Sequence, residues 1–241
     1  MLAPRDEDVV ILCGGRGTRL QQAAGAIPKP LVEIGGRPIV WHVIQIYAAQ
    51  GFRRFLLLTG HLSELIDDFV AGQTWDDGLA VETVFTGDDT PTGGRIRRAA
   101  DRLQSATFCA TYADGVADID LGAELAHHRE HGRLATMAVV QPELQFGITE
   151  LAEDGRVAGF REKPRSEQWI NGGFFVFERP ALAYMSETSV LERELLETLA
   201  GEQQLQAYRH EGFWRCMDTY KDAVTLNDLW SSGAPWATPP G

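Results

Sequence analysis

The residues best suited to chemistry follow an apolar run near the start of the chain. Val9–Leu12 has the character of a buried strand, and it ends at a glycine cluster over positions 14–17. Glycines in that place let backbone N–H groups approach an anion closely. Arg19 follows at once, and Lys29 comes ten residues later, between two prolines. Because an arginine fork and a lysine ammonium supply the charge that a polyphosphate requires, the segment predicts a nucleoside-triphosphate site.

Two other kinds of phosphate loop are excluded by the same residues. A P-loop requires G-x-x-x-x-G-K-[ST], and the sequence contains no Gly-Lys pair. A dinucleotide fingerprint requires G-x-G-x-x-G, and here Gly15-x-Gly17 is followed at the last position by Leu20. A glycine turn alone is also compatible with a purely structural bend, so the prediction depends on the longer string of residues.

Two aspartates are candidate metal ligands because of where they fall relative to predicted elements. Asp114 comes just after an apolar strand pattern, at the edge where open α/β sheets bind ligands. Asp218 lies between an aromatic segment and a predicted helix. Carboxylate oxygens beside phosphates are what Mg²⁺ prefers. Asp114 is also compatible with a turn, and an aspartate in the position of Asp218 is commonly only a helix N-cap. The spacing does not show whether the two aspartates meet.

Further candidate ligand-binding residues stand next to glycine or proline. Arg95 belongs to a basic cluster after the loop over positions 86–93, where a helix N-terminus favours an anion. Lys163 precedes a proline, which predicts extended backbone and a fixed positive charge. Asn171 and Gly172 offer an amide and bare backbone to sugar hydroxyls. Exposed turns and a solvated helix face would explain the same residues without a ligand.

Strand-like and helix-like patterns alternate along the chain, which predicts one α/β domain with helical crossovers. The predicted strands are Val9–Cys13, Phe55–Thr59, Leu79–Phe85, Thr107–Thr111, Leu134–Gln141 and Gly172–Phe177. The predicted helices are Pro38–Gln50, Leu62–Val70, Gly94–Leu103, a helix from the cap Asp120 to His131, Leu191–Ala200 and Tyr220–Trp230. A hairpin is predicted over Ile148–Phe160, with its turn at Asp154-Gly155.

Composition excludes several other classes of protein. The chain has 241 residues and a formal net charge of −12, so non-specific nucleic-acid binding is not expected. Its three cysteines fit neither a metal-binding spacing nor a disulfide framework, and we interpret them as buried, reduced thiols. Without a signal-peptide pattern or a membrane-length apolar run, the sequence predicts a cytoplasmic enzyme that does not contact a membrane. Positions 1–7 and 231–241 are predicted to be loosely held.

The whole string of motifs resembles the sugar-1-phosphate nucleotidyltransferases. It begins with G-G-R-G-T-R-L and P-K-P and extends from about residue 8 to residue 230. Within the family the likeness is greatest to the glucose-1-phosphate cytidylyltransferases. The other matching segments are V-E-I-G-G-R-P-I-V-W-H (32–42), T-G-D-D-T-P-T-G-G-R-I-R-R (86–98), Y-A-D-G-V-A-D-I-D (112–120), F-R-E-K-P (160–164), I-N-G-G-F-F-V-F (170–177) and G-F-W-R-C-M-D-T (212–219).

The resemblance implies a Rossmann-like, GT-A-like fold: a mixed, mostly parallel sheet flanked by helices, with a small β-hairpin region in the C-terminal half. It implies one domain, with a nucleotide-binding part over about 8–118, a sugar-phosphate-binding part over about 119–230 and a flexible tail over 231–241. It implies in-line attack of a sugar-1-phosphate oxygen on the α-phosphorus of a nucleoside triphosphate, with release of pyrophosphate. The implied substrates are CTP and glucose-1-phosphate, and the implied cofactor is Mg²⁺.

The resemblance also assigns roles residue by residue. Arg19 is expected to hold the β- and γ-phosphates, Lys29 the α-phosphate and Lys163 the sugar phosphate. Asp114 and Asp218 are the expected metal ligands. The expected nucleotide-binding residues are Leu12, Gly14, Gly15, Gly17, Thr18, Thr86, Gly87, Thr92, Gly93 and Arg95. The expected sugar-phosphate-binding residues are Gly147, Glu162, Lys163, Asn171 and Gly172.

Three departures from the family pattern qualify these expectations. The region Ala71–Phe85 is shorter than in the family enzyme, which leaves base specificity and a homo-oligomer open. Cys13 stands where the family usually has alanine, and Ala113 stands where it usually has glycine. All of these residues are small, so we expect little effect on the site. Gln145–Thr149 lacks the family's arginine in a loop on the sugar side, so the sugar could differ from glucose. The alternatives are the same reaction with another base or another sugar-like 1-phosphate, and a non-catalytic regulator that binds a nucleotide or sugar phosphate.

Overall fold

The computed structural model describes residues 4–15, 27–76 and 78–237, and a seven-stranded sheet lies at its centre. Its strands are β1 (Arg5–Leu12), β4 (Phe52–Thr59), β5 (Ala80–Phe85), β6 (Thr107–Tyr112), β8 (Ala135–Val140), β11 (Ile170–Glu178) and β12 (Leu205–Arg209). Their order across the sheet is β12-β8-β11-β6-β1-β4-β5. Strand β11 is antiparallel to both neighbours, and the other neighbouring pairs are parallel. The predicted mixed, mostly parallel sheet is confirmed.

Helices cover both faces of this sheet. They are α1 (Ile39–Ala48), α2 (Ser63–Gly72), α3 (Thr92–Arg98), α4 (Leu121–His131), a π-helix (Leu191–Glu197) that continues into α5 (Thr198–Gly201), and α6 (Tyr220–Ser231). Short 3-10 helices span Lys29–Leu31, Ala100–Arg102, Arg179–Tyr184 and Pro235–Ala237. Among the described residues, no helix combines the length and apolar character needed to cross a membrane.

In the described part of the chain, three two-stranded sheets lie outside the central sheet. They are β2 (Glu33–Ile34) with β3 (Arg37–Pro38), β7 (Gly115–Ala117) with β13 (Trp214–Cys216), and β9 (Ile148–Leu151) with β10 (Val157–Arg161). The last pair is the predicted hairpin, and Gly155 in its turn has a positive φ of 83°. All three pairs are antiparallel.

The central strands are buried because the sheet separates two apolar cores. In β1, Val9 and Ile11 belong to one core cluster, while Val10 and Leu12 belong to the other. Side chains alternate across a strand, so an unbroken apolar run fills both layers. The first cluster receives residues of α1, α4 and α6, and the second receives residues of α3 and the π-helix. This double-sided burial fixes the edge of the sheet where β1 and β6 end.

Several boundaries differ from the sequence predictions. Strand β12 was not predicted, because its sequence L-Q-A-Y-R lacks an apolar run. Helix α3 ends at Arg98 and gives way to a 3-10 turn, whereas the prediction continued one helix to Leu103. The predicted loose ends are wrong for residues 5–7 and 231–237. Strand β1 begins at Arg5, and Trp236 is buried and stacks on Phe213.

Candidate functional site

A cleft opens at the carboxyl edge of the central sheet, beside the ends of β1 and β6. Its volume is about 430 Å³. Because β1 and β6 are parallel neighbours, the residues that follow each strand meet at this edge. Leu12, Gly14 and Gly15 line the cleft from the first strand, and Asp114 lines it from the second. The segment after β1 that was predicted to approach a nucleotide therefore faces an open space.

Lys29 lies between the two aspartates that the sequence could not pair. Its Nζ is 2.6 Å from Asp114 Oδ2 and 2.6 Å from Asp218 Oδ1. The 3-10 turn Lys29–Leu31 fixes the start of this side chain, because Pro30 within it is buried. Burial alone would lower the pKa of Lys29, but the two carboxylates outweigh it and the pKa is raised. The ammonium group is therefore a permanent positive charge at this position.

The pairing of β7 with β13 explains why Asp218 reaches Asp114. Cys216 pairs with Gly115 across these strands, and the N–H of Met217 donates to the carbonyl of Asp114 at 2.9 Å. Asp218 then leads into the capping box of α6, where the Asp222 carboxylate accepts from its N–H at 3.1 Å. A three-residue sheet and a helix cap thus hold the second aspartate in place.

These residues have a donor set that suits a hard divalent cation. Ligand atoms of Asp114, Cys216 and Asp218 lie within 4.8 Å of one another. Carboxylate oxygens are the donors that Mg²⁺ prefers. Burial and the neighbouring carboxylates raise the pKa of the Cys216 thiol. The two aspartates can hold the cation, and Cys216 is a neighbour that sequence reasoning did not assign to this site.

Arg95 braces the loops around the cleft. Its Nη1 donates to the carbonyls of Thr59 and Gly87 and to the Thr86 hydroxyl, each at 2.8 Å. Its Nη2 donates to the carbonyls of Gly14 at 2.8 Å and Asp88 at 3.2 Å. The side chain is buried, with 4% exposed. Arg95 lines the cleft, but its guanidinium hydrogen-bonds the protein's own backbone.

Arg95 occupies the space that a side chain at position 14 would need, so this position requires glycine. A Cβ at Gly14 would lie 2.0 Å from the Arg95 Cζ. The guanidinium cannot move aside without losing its carbonyl partners. The first glycine of the cluster is therefore required by a contact inside the protein, in addition to any ligand.

The other predicted nucleotide-binding residues divide between the surface of the cleft and the layer behind it. Thr92 lines the cleft at the start of α3. Thr86 is buried and donates its hydroxyl to the Thr59 carbonyl at 2.8 Å. Gly87 has a φ of 99°, and a Cβ at Gly93 would meet the Ser189 carbonyl at 2.9 Å. Gly17, Thr18 and Arg19 lie outside the described residues.

A smaller cavity of about 230 Å³ adjoins the cleft and shares Tyr112 and Asp114 with it. Asn171 and Gly172, two of the residues that the sequence predicts to bind the sugar phosphate, line this side cavity. The indole N–H of Trp214 donates to the Gly172 carbonyl at 2.7 Å and closes one wall. The side cavity therefore opens next to the two candidate metal ligands.

Glu192, on the π-helix, was not predicted and contacts both walls of the site. Its Oε1 accepts a hydrogen bond from the Tyr112 hydroxyl, and its Oε2 accepts from the Thr92 hydroxyl at 3.1 Å. Asn171 Nδ2 also donates to the Tyr112 hydroxyl, at 3.4 Å. No sequence motif marks Glu192. Only the π-helix, a form frequent at functional sites, could have drawn attention to it.

The remaining three predicted residues lie around the β9–β10 hairpin. Within the described chain, Gly147, Glu162 and Lys163 are not among the residues that line the cleft or the side cavity. Lys163 Nζ is 3.7 Å from Glu162 Oε1, and both side chains are largely exposed. The predicted extended backbone at Lys163 is wrong, because its φ is +43° where the chain bends after β10. A Cβ at Gly147 would meet the Phe160 ring at 2.5 Å.

Comparison with known proteins supports one family. The nucleotidyl transferase family model matches residues 8–232. The chain is 37% identical to the glucose-1-phosphate cytidylyltransferase of Salmonella typhi, covering 95% of this chain and 98% of that protein. It is 38% identical to a probable glucose-1-phosphate cytidylyltransferase of Bacillus subtilis, covering 93% and 96%.

A solved structure with a similar fold is HddC from Yersinia pseudotuberculosis. The TM-score is 0.74 at 22% identity, with 93% of this chain and 99% of that chain covered. At that identity the likeness supports the fold, and the full-length sequence matches support the family and its enzymatic character. The chain belongs to the nucleotidyl transferase family and is a sugar-1-phosphate nucleotidyltransferase similar to the glucose-1-phosphate cytidylyltransferases.

Proposed function

We propose that the protein transfers a cytidylyl group from CTP to glucose-1-phosphate and releases pyrophosphate, with Mg²⁺ as its cation. A phosphate oxygen of the sugar phosphate attacks the α-phosphorus of CTP. The bond between the α-phosphorus and the bridging oxygen breaks, and pyrophosphate leaves with that oxygen. The product is CDP-glucose, and no protein nucleophile is needed because such reactions depend on positioning and charge neutralisation.

The observation that carries this proposal is the meeting of Lys29, Asp114 and Asp218 at the edge of the cleft. Lys29 Nζ lies 2.6 Å from a carboxylate oxygen of each aspartate, although the three residues come from distant parts of the sequence. They meet at the carboxyl edge of the parallel strands β1 and β6. Ligands bind at that edge in open α/β folds. The choice of CTP and glucose-1-phosphate rests on the full-length similarity to glucose-1-phosphate cytidylyltransferases.

On the nucleotide side, Lys29 neutralises the α-phosphate, where negative charge accumulates during attack. The backbone of Gly14 and Gly15 lines the phosphates and base, and Arg19 holds the β- and γ-phosphates. Arg95 maintains the shape of the pocket through its carbonyl contacts. Residues 8–118 form the nucleotide-binding part in this assignment.

Asp114 and Asp218 would hold the cation. When bound, Mg²⁺ neutralises phosphate oxygens that would otherwise repel the incoming sugar phosphate. Lys29 bridges these carboxylates, so its ammonium lies beside the position where the cation would be held.

On the sugar side, Asn171 and Gly172 contact the sugar hydroxyls in the side cavity. Lys163 grips the sugar phosphate, and Glu162 and Gly147 contact the sugar. Because these three residues lie around the exposed hairpin, the hairpin must approach the cleft for them to act. Residues 119–230 form the sugar-phosphate-binding part in this assignment.

Pyrophosphate release tests the proposal. Purified protein is incubated with Mg²⁺ and glucose-1-phosphate, and CTP, UTP, dTTP, GTP and ATP are supplied in turn. Pyrophosphate with CTP alone is the expected result, and a glucose-1-phosphate-free reaction is the control. Pyrophosphate release with a different nucleotide would show that this nucleotide, and not CTP, is the substrate. If no nucleotide gives pyrophosphate with glucose-1-phosphate, the assay is repeated with other sugar-like 1-phosphates. If these also give no pyrophosphate, the result favours a protein that binds its ligands without catalysis.

A further inference from the structure

The carboxylate of Glu192 hydrogen-bonds residues that line the cleft and the side cavity. Tyr112 lines both the cleft and the side cavity, and Thr92 lines the cleft. The Glu192 carboxylate accepts a hydrogen bond from each of these two hydroxyls, one on each oxygen. Together with Asn171, which donates to the Tyr112 hydroxyl, these residues form what we call the Glu192 network.

The surrounding structure holds the Glu192 carboxylate in position. The N–H of Leu191, next to Glu192, donates to the Thr92 hydroxyl at 2.9 Å. The N–H of Gly94 donates to the Ser189 carbonyl at 2.9 Å. A Cβ at Gly94 would lie 2.1 Å from the Glu187 carbonyl oxygen, so the start of α3 approaches this segment too closely for a side chain. The π-helix and the start of α3 therefore form one packed unit.

The connection matters because hydrogen bonds to charged acceptors are strong and directional. Losing the carboxylate would free the Tyr112 side chain, which lines both cavities, and the Thr92 side chain, which lines the cleft. A structural anchor alone would affect folding stability. A group that sets the positions of both walls would also change the affinity for both substrates.

We propose that Glu192 is a positioning residue that sets the nucleotide and sugar-phosphate pockets together, through Thr92 on one side and Tyr112 on the other. The assignment of the sugar phosphate to the side cavity rests on the proposed function. The network divides into two branches. The Thr92 branch acts on nucleotide binding, and the Tyr112 branch, which continues to Asn171, acts on sugar-phosphate binding.

The test compares steady-state constants for CTP and glucose-1-phosphate in a set of variants. Glu192→Ala is expected to raise the KM for both substrates about tenfold, the size typical of losing a hydrogen bond to a charged group. Glu192→Gln keeps an acceptor and adds an amide donor, so it should restore most of the affinity. Glu197→Ala, an exposed position on the same helix, is the matched control and should leave both constants unchanged.

Single changes in the partners separate the two branches. Tyr112→Phe should raise the KM for glucose-1-phosphate several-fold and that for CTP less than twofold, and Thr92→Val should do the reverse. In a double-mutant cycle, Tyr112→Phe added to Glu192→Ala should raise the KM for glucose-1-phosphate little further, because the interaction is already lost.

Two results would overturn the inference. One is a Glu192→Ala enzyme with both KM values unchanged and only a lower melting temperature. The other is additive effects of Glu192→Ala and Tyr112→Phe. If Glu192→Ala does not fold, Glu192→Leu, which removes both acceptor oxygens and keeps a side chain of similar size, supplies the same cycle with Tyr112→Phe. A wild type that is inactive with every substrate pair would refute the proposed function instead, and calorimetric CTP binding to the Glu192 and Glu197 variants would then decide the inference.

Discussion

The cleft and the β9–β10 hairpin differ in how their charged side chains are held. In the cleft, Lys29 contacts two carboxylates at 2.6 Å, and Arg95 is buried among carbonyls. Near the hairpin, Lys163 has a neighbour at 3.7 Å and is 46% exposed. The first set is fixed by the central sheet and its loops. The second lies on a two-stranded sheet outside that core.

This contrast bears on substrate recognition. Fixed, partly buried charges are preorganised and cost little rearrangement when a ligand arrives. An exposed lysine on a small hairpin has to lose side-chain freedom when it binds. Under the proposed assignment, the nucleotide side of the site is therefore built into the fold, and a peripheral element would complete the sugar side.

The largest expected effect is that of Asp114→Asn. Removing one carboxylate weakens the candidate cation site and leaves Lys29 with Asp218 alone, so turnover should fall by about a hundredfold or more. Pyrophosphate release measures the loss, and circular dichroism checks the fold. Asp101→Asn, at an exposed position, is the control. A folded Asp114→Asn enzyme with near-normal turnover would contradict the assignment and remove the main distinction between the two regions.

Arg95→Met is expected to be the next most damaging change, and it acts on stability. The variant removes the hydrogen bonds that Arg95 donates to the carbonyls of Gly14 and Gly87, while the Thr59 carbonyl keeps the Thr86 hydroxyl as a donor. This loss should cost about 3 kcal/mol. Thermal unfolding should show a melting temperature lower by several degrees. Arg97→Met, an exposed arginine on the same helix, should shift it little. Equal melting temperatures for the two variants would show that Arg95 does not brace the cleft.

Lys163→Ala should have a smaller and selective effect. The KM for glucose-1-phosphate should rise about tenfold, and the KM for CTP much less, because one charge facing the sugar phosphate is removed. Lys221→Ala, at an exposed position of α6, controls for net charge. An equal rise in both KM values would mean that the hairpin does not serve the sugar side alone.

The smallest effect is expected from Leu151→Ser on the hairpin. Leu151 is 69% exposed, so its loss should change the free energy of unfolding by about 0.5 kcal/mol or less. Val10→Ala, in the core beneath the cleft, should cost about 2 kcal/mol. Chemical denaturation measures both. A large loss in the free energy of unfolding for Leu151→Ser would show that Leu151 is buried in solution, and the hairpin would then not be peripheral.

The sequence predicted the parts of the fold that local patterns encode. Apolar runs such as Phe55–Thr59 and caps such as Asp120 and Gly132 lie where expected, because burial and capping act on neighbouring residues. Strand β12 was missed because its pairing with β8 is a tertiary contact of a mixed polar sequence.

The site was less accessible to sequence reasoning. Asp114 and Asp218 are brought together by the short β7–β13 sheet, which no spacing rule encodes, and only the family resemblance paired them. Arg95 was predicted to face a ligand, and nothing local shows that three loops would surround it with carbonyls. No sequence motif marks Glu192, because its partners come from two other elements.

The contact between Gly14 and Arg95 limits what a glycine motif can reveal about a relative of this protein. A descendant that lost its activity but kept Arg95 as a brace would still need a glycine at position 14, since any Cβ there would collide with the guanidinium. That glycine is therefore a marker of the scaffold. Under the proposed mechanism, Lys29, Asp114 and Asp218 are the residues whose loss would distinguish a binding-only paralogue from an enzyme.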